Sequence, residues 1–186
     1  MTDPETARDR IDYLRKLRNI RQFRPDPIPQ EVVDDVLEVA RWSGSATNRQ
    51  PWEFVLVREP ATLRAMAAAE GYAGHLAGAA LGIVLVMAGD PSQAAQETWD
   101  EGRLGERIML AADAHGVGSS IGWFRPAGAA TVKALLGIPP ERTVRTAISL
   151  GYPTAEAEAA RRTPGRGRKP MTELVHEERY GERPAG

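Results

Sequence analysis

The sequence predicts an α+β sandwich in which a central mixed sheet is flanked by helices, and three observations carry that expectation. Leu81 to Met87 is an unbroken run rich in Val, Ile and Leu, the composition of a strand buried on both faces and therefore central in its sheet. Behind Pro29, apolar residues recur at helical spacing on one side of a charged stretch. Strand-like and helix-like segments then alternate loosely along the rest of the chain.

Taken in order, residues from about Pro4 to Arg21 carry Ile11, Leu14, Leu17 and Ile20 at steps of three among charges, which predicts a helix with a core-facing stripe. Pro29 begins a second helix whose apolar side is Val32, Val33, Val36, Leu37, Val39 and Ala40, with Glu31, Asp34 and Asp35 in its first turns. Glu53 to Val57 reads as a strand and Ala61 to Glu70 as a helix closed by Gly71. Leu81 to Met87 is the central strand. Ala88 to Asp100, with Gly89-Asp90-Pro91-Ser92, reads as a mobile loop. Glu101 to His115 is a helix with a face of small residues, stopped by Gly116 and Gly118. A strand near Ser119 to Phe124, a helix from about Gly128 to Leu136 and a strand from about Thr143 to Leu150 complete the core.

After Tyr152-Pro153 the chain turns polar, and Thr163 to Pro170 is rich in Gly, Pro and Arg, a composition that holds no core by itself. Met171, Leu174, Val175 and Tyr180 bring apolar side chains back. A frayed tail and a packed arm are equally open readings of that end. The expected organisation is one domain over 1–186, with a core over 1–153 and an appended segment over 154–186.

A chain of 186 residues with 42% hydrophobic content suits one domain that buries roughly 70% of its unfolded surface, so it requires no disulfide or metal staple. There is no cysteine, which excludes a disulfide scaffold, thiolate metal sites and a cysteine nucleophile. Redox chemistry would have to come from a cofactor. The formal charge of −1 gives no global basic field of the kind that attracts nucleic acid. The most apolar run, Ala79 to Ala88, is too short to span a bilayer, and Met1-Thr2-Asp3-Pro4-Glu5 lacks a signal-peptide pattern, so a cytoplasmic protein is expected.

Two segments carry the chemistry. In Leu17-Arg18-Asn19-Ile20-Arg21-Gln22-Phe23, a helical backbone would place Arg18 and Arg21 on one face, where planar guanidinium forks suit a phosphate. The competing reading makes them, with Arg15 and Lys16, the solvated side of a surface helix. In Ser45-Ala46-Thr47-Asn48-Arg49-Gln50-Pro51-Trp52, small donors and acceptors crowd a turn, Gly44 permits close backbone approach, and Pro51 is expected to hold Gln50 extended. The competing reading is a helix-to-strand turn with Trp52 as a core aromatic.

Together the segments resemble the FMN-dependent nitroreductase family, which pairs an Arg-x-x-Arg-x-Phe element with a polar Ser-x-x-Asn-x-Gln-Pro-Trp loop. The resemblance runs on through Asp26-Pro27-Ile28-Pro29, Leu110-Ala111-Ala112 to Gly116-Val117-Gly118, Leu150-Gly151-Tyr152-Pro153, and Arg166-Gly167-Arg168-Lys169-Pro170-Met171. It implies a homodimer whose C-terminal arm extends around the partner subunit, with FMN as cofactor and NADH or NADPH as reductant. By the same resemblance Arg18 and Asn19 bind the ribityl phosphate region, and Arg168 closes the phosphate site with Arg166 as the register alternative. Ser45, Asn48 and Gln50 line the cofactor and the substrate entrance, often from the other subunit, and Ser119 and Ser120 bring backbone to the N5 face. Arg21 lies by the N1 and O2 edge, where reduction places negative charge that a fixed cation stabilises, and is the expected catalytic residue.

The implied activity is ping-pong transfer of reducing equivalents from NAD(P)H through FMN to a nitroaromatic, a quinone or a related small-molecule acceptor. The alternatives are a specialised relative (an enone reductase, a dehalogenase or a flavin-consuming enzyme) and a non-catalytic flavin-binding protein. Three positions depart from the family pattern: Asn19 stands for a common Ser, Leu17 for a second Arg, and Gly44 for Pro.

His75, His115 and His176 lack metal-ligand spacing, so they read as surface or packing residues and no metal is expected. Gly116 to Gly122 follows a helix and precedes a strand, the reverse of a dinucleotide loop. Arg161 to Lys169 is basic, but the acids around it argue against a nucleic-acid partner.

Overall fold

A computed structural model describes residues 4–162 and 167–183. In chain order the elements are α1 (Pro4–Lys16), α2 (Gln30–Arg41), β1 (Trp52–Val57), α3 (Pro60–Ala67), β2 (Leu81–Met87), α4 (Ala94–Ala114), β3 (Gly118–Trp123), α5 (Pro126–Leu136), β4 (Thr143–Gly151), α6 (Ala155–Arg162) and α7 (Met171–Leu174). The sheet runs β1-β2-β4-β3. Every residue of β2 is buried, as its unbroken apolar run requires. Alternate β2 side chains serve two cores. Leu81, Ile83 and Leu85 pack with Val33, Val36, Leu104 and Ile108 from α2 and α4, while Val84 and Val86 pack with Leu63, Met66 and Val132 from α3 and α5.

The α+β layering matches expectation, but the sheet is not mixed in its ladders. All three strand pairings are antiparallel. The parallel component is a single bridge between Asn19 and Ser119, made by chain outside the named strands.

That bridge belongs to the largest local departure from the sequence reading. Helix α1 stops at Lys16, and residues 17–23 continue as an extended strap across the ends of β3 and β4. Ile20 N donates to the Ser119 carbonyl at 2.8 Å, Arg24 N to the Tyr152 carbonyl at 2.8 Å, and Thr154 N to the Gln22 carbonyl at 3.2 Å. Space for the strap comes from two opposed glycines, Gly118 and Gly151. A methyl group at Gly118 would stand 2.8 Å from Ile20 Cβ, and one at Gly151 would stand 2.8 Å from Phe23 Cβ. Ile20 is buried there, whereas Ile11 and Leu14, expected to face a core, are 56% and 57% exposed. The Tyr13 hydroxyl still ties α1 to the Leu110 carbonyl of α4.

The expected mobile loop over Ala88 to Asp100 is mostly ordered helix. Pro91–Gln93 forms a 3-10 turn and α4 starts at Ala94. Its charges work inward: the buried Glu97 carboxylate accepts from Gly89 N at 2.9 Å and Asp90 N at 3.2 Å, and the buried Asp100 accepts from Ala46 N at 3.4 Å. At the other end, Met171, Leu174 and Tyr180 are 67%, 55% and 94% exposed, so their own chain does not cover them.

Candidate functional site

A cavity of about 660 Å³ opens between the end of α1, the strap and α4, and Arg18, Asn19 and Arg168 all line it. Arg15 and Lys16 add positive charge to its wall; Asp12 and Glu106 add negative charge. The strap and the chain beyond α6 thus line one cavity. Arg166 lies outside the described residues. Arg18 Nη1 donates to the carbonyls of Arg15 and Leu17, both at 2.8 Å, which satisfies carbonyls at the otherwise unpaired end of α1. Asn19 Oδ1 accepts from Ser120 Oγ at 3.3 Å.

Arg21 does not line this cavity. The expectation that Arg18 and Arg21 share one helical face fails because the backbone is extended, and residues three apart in extended chain point to opposite sides. Arg21 instead acts on His75. Burial, and then the Arg21 charge, push the His75 imidazole below its ordinary pKa, with the Ile121 backbone pulling the other way. The ring is therefore neutral at pH 7. Its Nδ1 lies 2.7 Å from Ser149 Oγ, and that hydroxyl donates to the Ser120 carbonyl at 3.3 Å. His75 is half-buried and sits against the sheet directly behind β3, a placement its isolated position in the sequence did not signal.

Ser119 and Ser120 are both buried in β3, but they present different groups. The Ser119 carbonyl accepts from the strap and the Trp123 carbonyl accepts from Tyr72 N at 2.7 Å, so both point away from β4. Strand alternation then sends the backbone groups of Ser119, Ile121 and Trp123 to the outer edge and those of Ser120 and Gly122 toward β4. Of the expected pair, Ser119 turns its main chain to the strap and Ser120 to β4, and Ile121, which the sequence did not single out, carries the next outward backbone groups. The buried Ser119 hydroxyl has no hydrogen-bond partner among the described residues.

Ser45, Asn48 and Gln50 lie apart from this group. Ser45 lines a separate cavity of about 350 Å³ with Trp99, Asp100 and Arg103, while Asn48 and Gln50 are exposed. Gln50 is not extended as expected: its φ is 50°, and Thr47 and Asn48 also sit at positive φ, 51° and 58°. The cause is a knot of local bonds. Gln50 N donates to Ser45 Oγ at 2.8 Å and Gln50 Nε2 reaches Asn48 Oδ1 at 3.3 Å, which turns the chain sharply before Pro51. At Gly44, the Arg103 guanidinium occupies the space a side chain would need.

Among the described residues no helix is long and apolar enough to cross a membrane. The family model described as "Nitroreductase family" matches residues 14–152. The chain is 30% identical over 188 residues to a protein of Thermus thermophilus named NADH dehydrogenase, covering 80% of this chain and 89% of that one. It is similar in structure to an FMN-dependent nitroreductase of Clostridium difficile, with a TM-score of 0.76 at 22% identity over 91% of this chain and 99% of that chain. A nitroreductase-type protein of Desulfovibrio desulfuricans solved in complex with FMN aligns with a TM-score of 0.74 at 23% identity, covering 97% and 99% of the two chains.

Proposed function

The chain belongs to the nitroreductase family, and from that membership we propose that it works as an FMN-dependent NAD(P)H oxidoreductase with a nitroaromatic, a quinone or a related compound as acceptor. The observation that carries this reading is the meeting of Arg18, Asn19 and Arg168 in one cavity, two permanently charged guanidiniums and an amide that suit a phosphate monoester. The unpartnered Ser119 hydroxyl beside the strap is a further polar group that a ligand can satisfy.

When bound, FMN would supply the centre that takes electrons from NAD(P)H and returns them to the acceptor, so the protein needs no nucleophile of its own. Arg18 and Arg168 would hold its phosphate, and Asn19 would donate to it. Arg21, separated from Arg18 by extended chain, would be the cation that serves the ring's N1 and O2 edge and stabilises negative charge there. The neutral His75 behind it leaves Arg21 as the local cation. Along the outer edge of β3, where the strap takes the Ser119 carbonyl, the main chain at Ile121 would be the part that lies toward the ring.

The loop of Ser45, Asn48 and Gln50, remote within one chain, completes the site of a second copy in a homodimer. The uncovered Ile11, Leu14, Met171 and Leu174 support that assembly, and a cytoplasmic setting agrees with the absence of cysteine.

Purified protein should be yellow and should oxidise NAD(P)H with menadione faster than free FMN does, with parallel lines in a two-substrate plot. Arg21→Ala should lower the rate of flavin reduction more than FMN retention, and Arg168→Ala should mainly release FMN. Colourless protein that takes up no FMN would end the reading, and the reverse pattern of the two variants would overturn the roles.

A further inference from the structure

One exposed patch beside β3 is built more rigidly than its exposure requires. The Tyr72 and Trp123 rings pair with centroids 4.7 Å apart and planes 31° apart, although the two residues are 56% and 44% exposed. Arg125 lies over the Tyr72 ring, 5.7 Å from its centroid, and donates from Nη2 to the Tyr72 hydroxyl at 3.2 Å. The backbone beneath is held on both sides: Tyr72 N donates to the Trp123 carbonyl at 2.7 Å and Arg125 N to the Glu70 carbonyl at 3.0 Å. Gly71, at a φ of 152° and bridged to Phe124, presses so closely on β3 that an added Cβ would come within 2.8 Å of Phe124 Cα. Two large aromatics on a fixed backbone present a preorganised stacking surface.

Its location and charge say what it would hold. Trp123 is two residues along β3 from Ile121, about 7 Å at the rise of a strand, so the platform borders the outer edge assigned above to the flavin ring. Arg125 has five donors, of which the structure commits one to Tyr72; its pairing with Glu70 is loose, at 3.7 Å between side chains 52% and 55% exposed. An incoming anion can replace Glu70 with little loss.

We propose that Trp123, backed by Tyr72, stacks the planar ring of the electron acceptor and that Arg125 selects acceptors bearing a carboxylate or sulfonate, making aromatic anions the preferred substrate class. The inference rests on the oxidoreductase reading for its catalytic meaning, but the binding surface can be tested without turnover.

The experiment compares 4-nitrobenzoate with its methyl ester, equal in ring and nitro group and different in charge, on the FMN-loaded protein. The wild type should show the lower KM for the acid. Arg125→Gln should raise the KM for 4-nitrobenzoate about tenfold while leaving the ester within about twofold, as loss of one charge-assisted contact requires. Trp123→Leu should raise both. Calorimetric titration of the oxidised protein with 4-nitrobenzoate should show the same order of affinities even if no acceptor is turned over, so failure of the activity and failure of the platform are separable. Equal affinity for acid and ester in the wild type, or unchanged affinities in both variants, overturns the proposal. So does a Trp123→Leu protein that loses its dimer while keeping its affinity for 4-nitrobenzoate, which would make the patch a subunit contact.

Discussion

The strap over residues 17–23 and the loop over residues 45–50 both carry motif residues, yet their own chain treats them in opposite ways. The strap is woven into the molecule: its backbone bonds to β3 and to the chain after β4, Ile20 is buried, and two glycines are hollowed out to receive it. The loop is held mainly by its own side chains, with Ala46 N on Asp100 and Arg49 on Asp90 as its ties to the body; it stands largely exposed and keeps three non-glycine residues at positive φ. Such backbone costs free energy that surrounding structure normally offsets. A segment bonded along its length to its own chain and a segment kept in costly geometry at the surface differ in the way the proposed dimer requires, with the loop serving a second copy.

The difference is most exposed to test at Gly118. Gly118→Ala should destabilise the protein by roughly 1–3 kcal/mol, because the new methyl group meets the branched Ile20 Cβ on a backbone that cannot yield. At this chain length that is a fall in melting temperature of about 2–4 °C per kcal/mol. A melting temperature within a degree of the wild type would show that the strap is held more loosely than its contacts imply.

The loop should answer with the opposite sign. Thr47→Gly relieves a β-branched residue at positive φ and loses an exposed bond to its neighbour's carbonyl, so stability should rise by roughly 0.5–1 kcal/mol. A loss of stability in chemical denaturation would mean that the loop is held by its own chain after all, and the contrast with the strap would disappear.

The smallest effect concerns the strap's Arg21. His75 has a folded-state pKa below the ordinary 6.5, so the unfolded chain takes up the proton first. Its contribution leaves stability unaffected above about that value and lowers it as the pH falls from there toward the folded-state pKa. His75→Gln should flatten this acid-side decline in a series of denaturant melts. An unchanged decline would place its origin elsewhere.

These two regions also mark where the sequence was and was not legible. Helix α2 and strand β2 were readable because local pattern and final environment agree: Val33, Val36 and Ala40 are buried at helical spacing, and all of β2 is buried. The strap was misread because Ile11, Leu14, Leu17 and Ile20 keep a period of three past the point where the backbone leaves the helix. What ends α1 is not a local stop signal but a distant one, the Ser119 carbonyl offered to Ile20 N above Gly118 and Gly151. The segment after β2 was misread for a related reason, since Glu97 and Asp100 look solvated in sequence and are spent on backbone N–H groups inside.

In the candidate site, the sequence expected a grouping that the structure forms only in part. Arg18, Asn19 and Arg168 line one cavity, whereas Arg21 lies outside it, with its charge felt at His75, and Ser45 lines another cavity. The outward main-chain groups of Ser119 and Ile121 could be assigned only once the pairing of β3 was known.

The claim at the centre is that the Arg18, Asn19 and Arg168 cavity grips a phosphate. Calorimetric titration of flavin-free protein with FMN and with riboflavin, which lacks that group, measures the grip directly. FMN should bind more tightly, and Arg18→Ala should shrink its advantage over riboflavin by roughly tenfold to a hundredfold, the loss of one charge-assisted interaction. An advantage that survives Arg18→Ala and Arg168→Ala undiminished would place the phosphate elsewhere and contradict the account.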